Sequence, residues 1–148
     1  MSRTVLEVEG LSKTYENANH AVRALKNVSF SLKKAEFVAV MGTSGSGKST
    51  LLHILSALDK PTSGVIKLNG EPCRHIFQEP EASRYRLKNV GFVHQSFNLL
   101  KDLSAEDNIA VPLILLGEPE SSIRARVEEV LGMLGLSAFR RHRPVELS

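Results

Sequence analysis

An unbroken apolar run, Phe37-Val38-Ala39-Val40-Met41, leads straight into Gly42-Thr43-Ser44-Gly45-Ser46-Gly47-Lys48-Ser49, and this junction constrains the fold more than any other stretch of the chain. An apolar run without alternation predicts a strand covered on both faces, as in a mostly parallel sheet. Beyond the glycines, Leu51, Leu52, Ile54, Leu55 and Leu58 recur at helical spacing, which predicts a helix from about Lys48 with one buried face. A strand, the pattern Gly-x-x-x-x-Gly-Lys-Ser and a helix together form a receptacle for polyphosphate. Glycines permit the backbone angles at which successive N–H groups converge on phosphate oxygens, and the helix start adds unpaired donors and the positive end of its dipole. Lys48 is then expected to bridge the terminal phosphates, and Ser49 to offer its hydroxyl to magnesium. A turn that only joined strand to helix would account badly for Lys48, since a cation in the first turn opposes the dipole by roughly 0.3–1 kcal/mol. The expected ligand of the loop from Gly42 to Ser49 is the triphosphate of a purine nucleotide, ATP with Mg2+.

The flanking sequence supplies the rest of an α/β arrangement. Val5 to Glu9 and Val28 to Leu32 alternate apolar with polar residues and predict half-buried strands of an antiparallel layer, with turn chemistry at Glu16-Asn17-Ala18-Asn19-His20 between them. Pro61-Thr62-Ser63-Gly64 ends the first helical region, Val65 to Leu68 predicts a short strand closed by Asn69-Gly70, and Val90-Gly91-Phe92-Val93-His94 predicts another that ends at Gln95. Further along, Ser104 is a candidate N-cap, and Ile123, Val127, Val130, Leu131 and Leu134 mark a helix within Ser121 to Leu134. Without repeats or low-complexity tracts, the chain divides into an α/β part over residues 1–95 and a helical subdomain over residues 96–148.

Composition narrows the classes of partner. A net charge of +3 suits an anionic ligand but is too slight to argue for nucleic acid, and Arg140, Arg141 and Arg143 near the end read as a solvated helix end and loop. The one cysteine, Cys73, rules out an internal disulfide framework and fits a reducing cytoplasm. His20, His53, His75, His94 and His142 form no metal-ligand spacing. Acidic residues at Glu7 and Glu9 stand where a signal peptide needs an apolar run. The longest apolar run, Ile109 to Leu116, is interrupted by Pro112 and is far shorter than the roughly 20 residues of a membrane span, so any membrane contact is expected through a partner rather than by direct insertion.

A phosphate loop names a ligand and not a job, and the flanks carry the family resemblance. Leu11-Ser12-Lys13-Thr14-Tyr15, followed by Val22-Arg23-Ala24-Leu25-Lys26-Asn27-Val28-Ser29-Phe30, resembles the opening of an ATP-binding-cassette (ABC) ATPase, and Val90 to Leu100 resembles the glutamine loop of that family. Leu103 to Leu113 resembles the segment that follows that loop. Over nearly the whole chain, the resemblance is strongest to the subgroup serving macrolide export, lipoprotein release and the cell-division transporter-like complex. It implies a P-loop NTPase core with an N-terminal antiparallel β layer and a C-terminal helical subdomain, incomplete. By the same resemblance Tyr15 stacks on adenine, and Val22 joins it with Gly42, Thr43, Ser44, Gly45, Ser46, Gly47, Lys48, Ser49 and Thr50 in holding ATP. Lys48 and Gln95 take the catalytic roles, and Ser49 and Gln95 touch magnesium. The loop of Gln95 is implied to meet transmembrane permease subunits, a second ATPase subunit to face the first as a homodimer, and the protein to lie on the cytoplasmic face of the inner membrane. His94 departs from the phenylalanine or tyrosine common before the glutamine.

Pro144-Val145-Glu146-Leu147-Ser148 resembles the approach to the family's Leu-Ser-Gly-Gly-Gln signature, without its Gly-Gly-Gln. No segment supplies the family's apolar strand with a magnesium-linked aspartate and the next glutamate; Leu113 to Glu118 imitates it most nearly and lacks the aspartate. The chain is therefore expected to be an N-terminal fragment of an ATPase that does not turn over ATP alone, with apolar surface left uncovered and poor solubility or loose packing. Two other readings stay open at this point: a soluble ABC-type ATPase of translation or DNA repair, and a non-catalytic nucleotide-binding fragment.

Overall fold

The alternation in the first third of the sequence folds into one long hairpin. In this computed structural model, which describes residues 3–17 and 20–147, β1 (Thr4–Asn17) pairs antiparallel with β2 (His20–Lys33), from Thr4 opposite Lys33 to Asn17 opposite His20. The strands run longer than their alternation predicts. Glu16 and His20, expected in the turn, belong to the ladder, while Ala18 and Asn19 lie outside the described residues. On the other edge of β1, β3 (Ser63–Leu68) adds antiparallel, and the Asn69-Gly70 turn carries the chain into β4 (Glu71–Pro72), giving the order β2-β1-β3-β4.

One helix covers this sheet. α1 (Lys48–Leu55) buries Leu51 and Ile54 against Val8, Leu11, Leu25 and Ile66, with Leu6, Val28, Phe30, Leu55 and Phe77 around the margin. Leu52 and Leu58 are exposed, so the buried stripe is narrower than five apolar positions suggest. α1 ends with Ala57 in the left-handed conformation, φ 54°. The N–H groups of Ala57 and Leu58 return to the carbonyls of Ile54 and His53 at 3.0 and 2.8 Å, the paired bonds of a Schellman ending. α2 (Glu81–Asn89), which sequence patterning leaves unassigned, docks beside it: the buried Tyr85 donates to the Leu55 carbonyl at 2.9 Å, and Arg86 to the Ala57 carbonyl at 2.8 Å.

Two predicted strands are absent as strands. Phe37 to Met41 forms no ladder with any described strand, and Phe37 is 93% and Met41 88% exposed. Val90 to His94 likewise forms no ladder with any described strand, and Val93 is exposed. The apolar pattern reports what these residues need, whereas a strand exists only when another pairs with it. All ladders among the described residues are antiparallel.

The chain divides into two units, Met1–Arg86 and Leu87–Ser148. In the second, α3 (Ala105–Leu115) starts as expected at Ser104. The Ser104 hydroxyl accepts the Asp107 N–H and the Asp107 carboxylate accepts the Ser104 N–H, both at 3.2 Å, a reciprocal capping box. α4 (Glu120–Met133) packs Val127 and Leu131 on Ala105, with Ile109, Ala110, Ile123, Leu136 and Leu147 alongside. Arg140 is not merely solvated. Its Nε donates to Glu106 at 2.7 Å and its Nη1 to Glu128 at 2.6 Å, clamping the segment after Ser137–Phe139 to both helices.

Candidate functional site

The glycine-rich loop sits where the sequence places it, between the extended run and α1, and Gly47 is the residue that seats it. Gly47 is the N-cap of α1 at φ 93°, a left-handed conformation that side chains rarely adopt. A Cβ there would lie 2.4 Å from the carbonyl oxygen of Ala24 and 3.1 Å from Leu25 Cδ2. The loop is thus pressed directly onto the backbone of β2, and the Leu51 N–H closes the first turn on the Gly47 carbonyl at 2.9 Å. The N–H groups ahead of Leu51 have no intrahelical acceptor, the ordinary condition of a helix start.

Thr43 to Gly47 turns tightly, with the Ser46 N–H on the Thr43 carbonyl at 3.3 Å. Lys48 folds back over this turn. Its Nζ donates to the Thr43 carbonyl at 2.7 Å and the Gly42 carbonyl at 2.9 Å, with Ser46 Oγ at 3.4 Å. Gly42 through Ser46 are exposed, as is Ser49 in the first turn, and Thr50 is half-buried beside it. A glycine cradle on a helix start, with one ammonium and a first-turn hydroxyl, has the donor set that a magnesium-bound polyphosphate requires. Among the described residues no cluster of histidine, cysteine or acidic side chains could hold a metal by itself. Magnesium would therefore depend on the Ser49 hydroxyl together with phosphate oxygens.

The predicted base-contacting pair lies on the same unit. Tyr15 and Val22 stand directly opposite each other across the hairpin, two residues from the Ala24 carbonyl that meets Gly47. Val22 is exposed and Tyr15 is 38% exposed. Tyr15 is held at its rim and on one face: its hydroxyl donates to Asp59 Oδ2 at 2.7 Å, and the Lys13 ammonium lies 4.7 Å from the ring centroid. Burial pushes the Asp59 carboxyl upward, but hydrogen bonds from Lys13, Tyr15 and the Lys60 N–H outweigh it and hold Asp59 below the usual carboxylate range. Sequence patterning misses Asp59. The signal available was a turn, Leu58-Asp59-Lys60-Pro61, which by itself points to loop chemistry.

Gln95 belongs to the second unit. It is exposed and opens a turn in which Phe97 and Asn98 both take left-handed angles, φ 62° and 50°, with the Phe97 N–H on the His94 carbonyl at 3.0 Å. The His94 ring packs on Phe92 at 4.5 Å between centroids. No helix among the described residues is long and apolar enough to cross a membrane.

Residues 25–148 match the ABC transporter family. The lipoprotein-releasing system ATP-binding protein LolD of Bordetella pertussis is 43% identical over 143 residues, covering 97% of this chain and 62% of that protein. The macrolide export ATP-binding/permease protein MacB of Azoarcus sp. is 40% identical over 144 residues, covering 97% of this chain and 22% of that one. Among solved structures, the dimeric ATP-binding cassette MJ0796, in a post-hydrolysis state bound to ADP and Pi, is similar with a TM-score of 0.86 and 37% identity, over 97% of this chain and 63% of that chain. The fold class expected from the sequence is the one these similarities bear out.

Proposed function

The chain belongs to the ABC transporter family, and on that premise we propose that it is the ATP-binding subunit of a transport complex, or the greater part of one. It spans 62% of the length of the LolD relative. The work it couples to ATP is substrate export, lipoprotein release or mechanical transmission across the inner membrane. The observation that supports this reading is the close approach of Gly47 to the Ala24 backbone, which joins the loop that carries Lys48 to the hairpin that carries Tyr15 and Val22.

In this reading Gly42 through Thr50 hold the phosphates, Tyr15 and Val22 meet the base, and Ser49 would hold magnesium through its hydroxyl. Bound magnesium supplies charge neutralisation between the terminal phosphates. By the family resemblance Gln95 would be a further magnesium ligand, and its loop meets the permease subunits on the cytoplasmic face. Residues 1–95 are the nucleotide-binding part and residues 96–148 the helical part. A second copy faces the first, as the dimeric state of the MJ0796 cassette suggests. The names of the LolD and MacB relatives favour transport over a role in translation or repair.

Hydrolysis needs a positioned water and charge stabilisation on both sides of the phosphate. Among the described residues Lys48 supplies charge on one side and no strand ends in an aspartate–glutamate pair that could position water, so in this reading the chain binds Mg-ATP without turning it over. A phosphate-release assay at saturating Mg-ATP, run beside a binding titration with ribose-labelled ATP, tests both halves. Saturable binding without steady release is expected. Absence of binding overturns the nucleotide reading, and steady release overturns the claim that binding occurs without turnover.

A further inference from the structure

We propose that Asp59 is a positioning residue that fixes the base-stacking face of Tyr15 and ties it to the helix that carries the phosphate loop. The inference rests on the nucleotide reading above and adds to it a residue that no motif marks. Asp59 stands four residues after the end of α1, and its N–H returns to the His53 carbonyl at 3.2 Å, so its backbone is fixed to the helix. Both carboxylate oxygens are engaged. Oδ1 accepts the Lys13 ammonium at 2.6 Å and the Lys60 N–H at 2.7 Å, and Oδ2 accepts the Tyr15 hydroxyl at 2.7 Å.

Lys13 joins the parts. Its ammonium also donates to the Lys60 carbonyl at 2.6 Å while lying over the Tyr15 ring, so one face of that ring is occupied by a cation that Asp59 holds in place. A base is left the other face. Beside this cluster, the Thr62 N–H binds the Ser12 carbonyl and the Thr14 N–H binds Thr62 Oγ1, both at 2.9 Å, so the strap after α1 runs bonded along β1 up to Tyr15. Most of the Lys13 and Asp59 side-chain surface is covered by protein, with exposures of 13% and 27%, which makes this pair stiffer than an ordinary surface ion pair. The physical consequence is preorganisation: a ring already locked in its binding orientation loses no rotamer freedom when a base stacks on it.

A residue that only stabilised the fold would weaken all ligands alike, whereas a residue that positions Tyr15 affects only ligands with a base. Calorimetry of the chain with Mg-ATP and with Mg-tripolyphosphate separates the two. The wild-type chain is expected to prefer ATP, and Asp59→Ala to lower the ratio of the two affinities by roughly tenfold, the equivalent of a stacking contribution toward the lower end of its usual range. Asp59→Asn keeps the shape but cannot accept from both Lys13 and Tyr15, so it guards against a misfolded alanine variant and is expected to lower the same ratio by at least about threefold. A wild-type chain that binds both ligands equally overturns the stacking role of Tyr15 and this inference with it. A wild-type preference retained in full by Asp59→Asn overturns this inference alone.

Discussion

The ammonium of Lys48 donates to the carbonyl oxygen of Thr43 at 2.7 Å, closing the glycine-rich loop over the start of the helix that the lysine itself begins. A cation in a first helical turn faces the positive end of the dipole. The loop offsets this locally by turning the Gly42 and Thr43 carbonyls toward Lys48, which gives the side chain a fixed place with no acidic partner among the described residues. The same ammonium lies 3.4 Å from Ser46 Oγ, within the loop that the proposed function assigns to phosphate.

The seat of the loop on β2 predicts sharply different tolerance among its glycines. Gly47→Ala is expected to cost about 2–4 kcal/mol, from the left-handed backbone and a forced contact with Ala24. Gly45, at φ 78°, has open space where its Cβ would lie, so Gly45→Ala is expected to cost only about 1–2 kcal/mol. Urea denaturation of the two variants checks the order, and equal losses would contradict the packing described.

Tyr85 provides a pH-dependent test of the junction between α1 and α2. Burial, with a further contribution from Cys73, pushes the phenol up to about 12 from an ordinary 10.0. A group whose folded pKa is raised stabilises the fold fully below its unfolded pKa, so this contribution is intact below pH 10 and is lost as pH rises toward 12. Absorbance titration is expected to show a tyrosine that ionises only at the upper end of that window. Tyr85→Phe removes the bond to Leu55 and is expected to cost about 1 kcal/mol.

Arg140 predicts a geometric rather than a purely electrostatic loss in the helical unit. Its two nitrogens reach carboxylates on two helices, and a lysine has only one. Thermal melts are expected to show Arg140→Lys and Arg140→Ala lowered to similar extents, with the difference from wild type shrinking as salt rises. Full rescue by lysine would contradict the clamp.

Legibility in the sequence followed the range of the interactions. The alternation of the two hairpin strands, the spacing of α1 and α4 and the Ser104 cap are patterns among neighbouring residues, and each element forms close to where its pattern lies. Phe37 to Met41, apolar without alternation, and Val90 to His94 read as strands whose existence depends on distant partners, and neither forms a ladder with a described strand. α2 carries Glu81, Ser83, Arg84, Arg86 and Lys88 with too few apolar positions to show a periodic face, so its existence rests on Ala82, Tyr85 and their tertiary contacts. In the site, the loop was readable because its chemistry is contiguous. Lys13, Asp59 and the Ala24 carbonyl act across 23 to 46 residues of chain, and nothing local announces them.

Lys48→Ala tests the central claim most directly, by calorimetric titration of folded chain with Mg-ATP. Removing an ammonium from a charge-assisted contact of about 1.5–3 kcal/mol is expected to weaken binding by roughly 10- to 150-fold, while circular dichroism and the thermal melt stay within error of wild type. Wild-type affinity retained by the alanine variant, or no heat of binding from the wild-type chain, would contradict the assignment of this loop as a phosphate receptacle.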